Sequence, residues 1–218
     1  MKTEKRKLLF MGASTLLLFA LWTVAVSVID VKAIGPGESS VGFATLNGFV
    51  HNLTGVHMSL YTITDWLGLV PIGVAFGFGV LGFMQLVKRK SLLRVDRSII
   101  ILGIFYIVVM AIYALFEIVV INYRPVLING YLEASYPSST TMLVMCVMPT
   151  AAMQLNGRIK NKLIKRFTTF IIYAFVAFMV IGRLISGVHW ISDIIGGIIL
   201  SVGLVLIYYS VTTSKKRK

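Results

Sequence analysis

Six runs of mostly apolar residues, each about 20 long and parted by short polar loops, leave this chain few ways to fold. Such a run crosses a bilayer as a helix, because only a helix satisfies its own backbone polar groups without water. The runs fall at 8–29, within 60–87, and at 98–121, 138–155, 167–182 and 194–212. The fourth is short, and Pro149 interrupts it by removing one backbone donor. Composition agrees. The chain is 57% hydrophobic and 13% charged, where soluble domains hold about 45–50% and about 25%. The expectation is an all-α, polytopic bundle of six transmembrane helices, with residues 1–218 forming a single integral membrane domain.

The net charge of +13 would suggest nucleic acid in a soluble chain. Its placement argues against that. All but three of the 21 basic residues sit in four clusters, at 2–7, 88–97, 158–166 and 215–218, between or beyond the apolar runs. Short basic loops of this kind mark the cytoplasmic side. Six spans return the chain to the side where it began, and both ends are basic, so both termini are expected in the cytoplasm. Lys32, Arg124 and Arg183 are the three exceptions, and they fall outside or at the outer edge. The first run is too long for a signal-peptide core and is read as a retained span. Cys146 stands alone in an apolar run and is read as a small buried hydrophobe. Between the first two spans, the Gly35-Pro36-Gly37 stretch predicts a turn, and 41–54 is read as a helix lying at the interface.

Arg183, His189 and Asp193 stand between the last two apolar runs. Ionisable groups at the edge of a span are expensive unless paired or wetted, which makes them functional candidates. If a helix starts near Gly187, His189 and Asp193 share one face, and the aspartate can hold the imidazole in one tautomer. The topology brings two further segments to the same membrane face: Arg124, and Pro137 followed by Ser138, Ser139 and Thr140. Proline followed by hydroxyls reads as a helix start, whose free N–H groups attract anions, and arginine offers a fork of donors to phosphate oxygens. Together these parts describe a phosphoryl-transfer cradle that needs no metal or cofactor: His189 attacks phosphorus, and the arginines and helix start hold the oxygens. The plainer alternatives are that Arg124 snorkels or pairs with Glu133, and that the hydroxyls only cap and pack helices.

These residues resemble the type 2 phosphatidic acid phosphatase superfamily, whose three motifs run Lys-x6-Arg-Pro, Pro-Ser-Gly-His and Ser-Arg-x5-His-x3-Asp. The chain has Glu117 followed by Arg124-Pro125, then Pro137-Ser138-Ser139-Thr140, then Gly182-Arg183, His189 and Asp193. The resemblance spans about residues 60–210 and implies a six-helix plan with an outward-facing site. It casts His189 as the nucleophile, Asp193 as its partner, and Arg124, Arg183, Ser138, Ser139 and Thr140 as phosphate-binding groups. Three positions depart from the motifs. Glu117 replaces a lysine, Thr140 replaces the histidine that protonates the leaving group, and Gly182 replaces a serine. A threonine hydroxyl is a poor general acid.

The reading is therefore a multi-pass cell-membrane phosphatase, acting outside the cytoplasm on a lipid phosphate or diphosphate through a phosphohistidine. Phosphatidate, phosphatidylglycerophosphate and polyprenyl diphosphates such as undecaprenyl diphosphate are the candidate substrates. Glu117 is the candidate substitute acid, with His51 and His57 as weaker candidates. The alternative is a catalytically silent relative that binds or transports a phosphate-bearing lipid, or regulates a membrane partner. The expected partner is the lipid in the bilayer, with a homodimer as the assembly to test and no nucleic acid.

Overall fold

The structure, a computed structural model, describes residues 2–212, leaving out the side chain of Lys2, so the basic cluster at 215–218 lies outside the described residues. Eight helices carry the fold: α1 (Lys2–Val28), α2 (Ala44–Thr54), α3 (Met58–Leu67), α4 (Leu69–Arg89), α5 (Arg97–Ile118), α6 (Ser139–Arg158), α7 (Lys162–Ile185) and α8 (Ile191–Thr212). A two-residue hairpin ladder, β1 (Lys32–Ala33) against β2 (Ser40–Val41), closes the turn expected around Gly35. The interfacial helix expected at 41–54 is α2.

Five segments are long and apolar enough to cross a membrane: Thr3–Val28, Met58–Arg89, Arg97–Ile118, Lys162–Ile185 and Ile191–Thr212. The sixth expected span, α6, has 20 residues, about 30 Å of helix, but a more polar composition. Its position explains this. It packs against α4, α5, α7 and α8, and eleven of its residues are buried, so its surroundings are protein rather than lipid. Its polar groups are satisfied inside the bundle: Thr150 Oγ1 donates to Cys146 O at 2.7 Å, and Gln154 Nε2 donates to Tyr208 OH at 2.7 Å.

The main core lies between α1, α5, α6 and α8. Phe19, Leu102, Phe105, Val109, Met142, Leu200 and Leu204 fill it, and the Tyr136 ring stacks on Phe19 with centroids 6.2 Å apart. Burial of such side chains contributes about 1.5–3 kcal/mol each.

The α3–α4 pair forms a nearly continuous segment of 32 residues. That is about 48 Å of helix against a hydrocarbon core of about 30 Å. The excess is α3, which carries Tyr61, Thr64 and Asp65 to the end of the bundle opposite the basic loops. The same end holds the segment between α5 and α6, the start of α6, and the α7–α8 turn. The charged loop at the other end is tied by Arg89 Nη1 to Asp96 Oδ1 at 2.9 Å and by Gln85 Nε2 to Asp96 Oδ2 at 2.9 Å.

Candidate active site

The α7–α8 turn runs from Ser186 to Trp190. Its Gly187 has φ +69° and sits so close to Gly55 that an added Cβ would lie 1.9 Å from the Gly55 carbonyl oxygen. Only glycine fits there. The chain leading into α3 is thereby pinned to the turn, and His57 N donates to Ser186 O at 3.0 Å. Helix α8 begins at Ile191, so His189 precedes it and does not share a helical face with Asp193 as the spacing had suggested. The two still meet: His189 Nδ1 lies 3.8 Å from Asp193 Oδ2.

Asp193 is held from several directions. Asn122 Nδ2 donates to its Oδ1 at 3.1 Å and Trp190 N to its Oδ2 at 3.1 Å. Ser138 N donates to its backbone carbonyl at 3.1 Å, which ties the start of α6 to the start of α8. Ser192 is held in turn by Asn47, with Asn47 Nδ2 donating to Ser192 Oγ at 2.9 Å and Ser192 N to Asn47 Oδ1 at 3.1 Å. Trp190 Nε1 donates to Tyr123 O at 2.7 Å.

The other face of the imidazole meets an arginine. His189 Nε2 lies 3.4 Å from Arg183 Nη2. A guanidinium only donates, so Nε2 is the accepting nitrogen and the neutral ring carries its proton on Nδ1, toward Asp193. Burial, and then the charges of Arg124 and Arg183, hold the His189 pKa well below the usual 6.5. The ring is therefore neutral near pH 7, with a lone pair on Nε2.

Arg183 is 1% exposed. Its Nη1 lies 3.5 Å from Thr64 Oγ1 and 3.7 Å from Asp65 Oδ1, and its Cζ lies 5.0 Å from the centre of the Tyr61 ring. All three partners belong to α3. Gly182, where the related motif has serine, is explained by the same approach: a Cβ there would stand 2.8 Å from Thr64 Cγ2. Arg124 is also buried, and its Nε lies 3.1 Å from Glu133 Oε2, so the pairing considered from the sequence is present. Yet Arg124 Nη1, Arg183 Nε, Ser138 Oγ and His189 Nδ1 are buried without a hydrogen bond. An unmet buried donor costs about 1–3 kcal/mol, more when charged. Such unmet donors, with Arg183 beside a neutral imidazole, are what an anion site offers.

The remaining sequence candidates divide. Ser138 caps α6 without a side-chain bond to the helix, which leaves its Oγ free for a ligand. Ser139 and Glu117 border a shallow cleft with Tyr113, Ser135, Tyr136 and Pro137. Among the described residues, no hydrogen bond or ion pair joins Glu117 to either arginine or to His189. Thr140 faces the α3–α4 joint, with its Cγ2 3.7 Å from where a Cβ on Gly68 would stand. His51 packs on Trp190, centroids 5.4 Å apart, and His57 Nε2 contacts Thr54 O at 2.9 Å. Neither bonds to the arginines. The sequence carries no direct pointer to Tyr61, Thr64, Asp65, Asn122, Ser192 or Asn47. The one signal for the α3 group was an apolar run too long for the bilayer, with polar residues at its head.

A comparison with curated proteins finds no match. Among solved structures, the fold is similar to a transmembrane PAP2-type phosphatidylglycerolphosphate phosphatase from Bacillus subtilis. The TM-score is 0.57 and the identity 18%, over 95% of this chain and 97% of that one. At that identity the likeness concerns the fold. A family model described as the PAP2 superfamily matches residues 98–217, more than half of the chain and all the motif positions named above. The chain belongs to the PAP2 superfamily.

Proposed function

We propose that this protein is a membrane phosphatase that removes phosphate from a lipid phosphate or diphosphate through a phosphohistidine at position 189. The observation that carries the reading is the neutral His189 Nε2 held 3.4 Å from Arg183 Nη2, among buried donors without partners. The Nε2 lone pair forms the N–P bond as the P–O bond to the leaving group breaks. The ring becomes an imidazolium, and Asp193, beside Nδ1, offsets that charge. Arg124, Arg183, Ser138 Oγ and the first N–H groups of α6 hold the equatorial oxygens, with Ser139 and Thr140 lining the helix start. Water then attacks phosphorus, the N–P bond breaks, and phosphate leaves.

The basic loops support a site at the opposite end of the bundle, on the extracytoplasmic face of the cell membrane. Many apolar side chains of the helices are exposed, which supports a lipid tail lying against the bundle while the headgroup reaches the arginines. Phosphatidylglycerophosphate is one substrate to test, since the structural neighbour carries that activity in its name. Phosphatidate and polyprenyl diphosphates are the others.

The test is phosphate release by the purified chain and by His189→Ala on a panel of lipid mono- and diphosphates. Turnover by the wild type, reduced to background in the variant, is expected. A wild type that releases no phosphate from any of them sinks the reading. Thr140 in the place of a proton donor favours a second reading, a binding protein without turnover. Headgroup-dependent lipid binding lost in Arg124→Ala, with no hydrolysis by the wild type, would select it.

A further inference from the structure

We infer that Asp65 of α3, which lies outside the matched family region, supplies the leaving-group proton transfer that Thr140 cannot. This rests on the phosphatase reading above. Three independent placements lead to it. First, Asp65 Oδ1 lies 3.7 Å from Arg183 Nη1, while the other terminal nitrogen of the same guanidinium lies 3.4 Å from His189 Nε2. The carboxyl and the attacking nitrogen thus meet the same guanidinium at its two terminal nitrogens.

Second, Thr140 sits where the related motif has its proton donor, and it faces the α3–α4 joint. The site of a Cβ on Gly68 lies 3.7 Å from Thr140 Cγ2 and 2.9 Å from the Asp65 carbonyl oxygen. Thr140 and the backbone of Asp65 thus border the same turn at Gly68. Third, the Asp65 side chain is 57% exposed, against 1% for its arginine partner. Water therefore reaches the carboxyl, although its arginine partner is buried. Gly182 and Gly187 leave the room that this approach of α3 needs.

The proton balance closes without a further reactant. A phosphomonoester binds as its monoanion, the form that predominates below its second pKa of about 6. The Asp65 carboxylate accepts that proton and delivers it to the bridging oxygen as the P–O bond breaks, so the alcohol leaves neutral. The carboxylate then takes a proton from the water that attacks the phosphohistidine and passes it to the departing phosphate, which returns Asp65 to its ionised form. Glu117 does not occupy an equivalent place: it borders the cleft beside Tyr113, away from the α3 face of Arg183.

The experiment compares Asp65→Asn, Asp65→Glu and Glu117→Gln of the full-length chain in detergent. One substrate is a short-chain alkyl phosphate, whose leaving alkoxide needs a proton; the other is p-nitrophenyl phosphate, whose leaving phenolate does not. The expected result is a fall in kcat of about 10²–10⁴-fold for Asp65→Asn on the alkyl phosphate. Its turnover of the nitrophenyl ester persists, and Asp65→Glu recovers much of the loss. Equal losses on both substrates would mean that Asp65 merely holds Arg183 in place, and would overturn the inference. So would an unchanged Asp65→Asn, or a leaving-group-selective loss in Glu117→Gln instead. A wild type inactive on both esters and on the lipid panel would bring down the phosphatase reading itself.

Discussion

The proposed role of His189 as nucleophile rests on where its two nitrogens point. Nδ1 lies 3.8 Å from a carboxylate that other groups hold in place, and Nε2 faces a donor that cannot accept, which favours the tautomer with its lone pair on Nε2. Burial and two guanidinium groups disfavour the imidazolium further. The sign is definite. A folded-state pKa below the unfolded value near 6.5 means that the folded protein binds fewer protons, so this group's contribution to stability is lost as pH falls below about 6.5. Histidine-selective NMR titration in detergent is expected to show the His189 ring neutral through pH 6.5, and Arg124→Gln is expected to move its titration upward. A ring that titrates at 6.5 in both would show that neither burial nor the arginines govern it.

At the scale of elements, the notable event is the docking of α3 on the end of α7. A motif serine at position 182 would place its Cβ 2.8 Å from Thr64 Cγ2. Gly182→Ser is therefore expected to destabilise the protein by about 1–3 kcal/mol, as overpacking does, rather than restore a missing donor. Thr64→Ser removes the opposing methyl, so the double variant should recover much of the loss in thermal stability. Additive losses in the pair would place the strain elsewhere. The same contact accounts for Thr64 Oγ1 standing 3.5 Å from Arg183 Nη1, a polar neighbour where the motif serine is absent.

The whole molecule sorts its residues by what surrounds them. Helices α1, α5 and α7 turn apolar side chains outward, while α6 keeps hydroxyls and an amide because its neighbours are other helices. Polarity also divides the two ends, with basic loops at one and the anion pocket at the other. With Cys146 replaced by serine, a cysteine at the exposed Tyr131 should react with an impermeant thiol reagent applied outside intact cells. One at the exposed Leu93 should react only after permeabilisation. The reverse pattern would invert the topology and place the pocket in the cytoplasm.

Much of this was legible in the sequence, because bilayer physics acts on local composition. Run lengths, loop charge and the Arg183–His189–Asp193 spacing are properties of contiguous residues, and they located the helices and the end of the bundle where these three residues meet. What only the tertiary structure decided is which side chains close the pocket. Asn122 and Asn47 reach α8 from distant segments, and Tyr61, Thr64 and Asp65 reach Arg183 across 119 residues in the case of Thr64. Neither hydropathy nor motif spacing encodes that approach. It depends on a helix longer than the membrane is thick, and on two glycines whose missing side chains let its end come near.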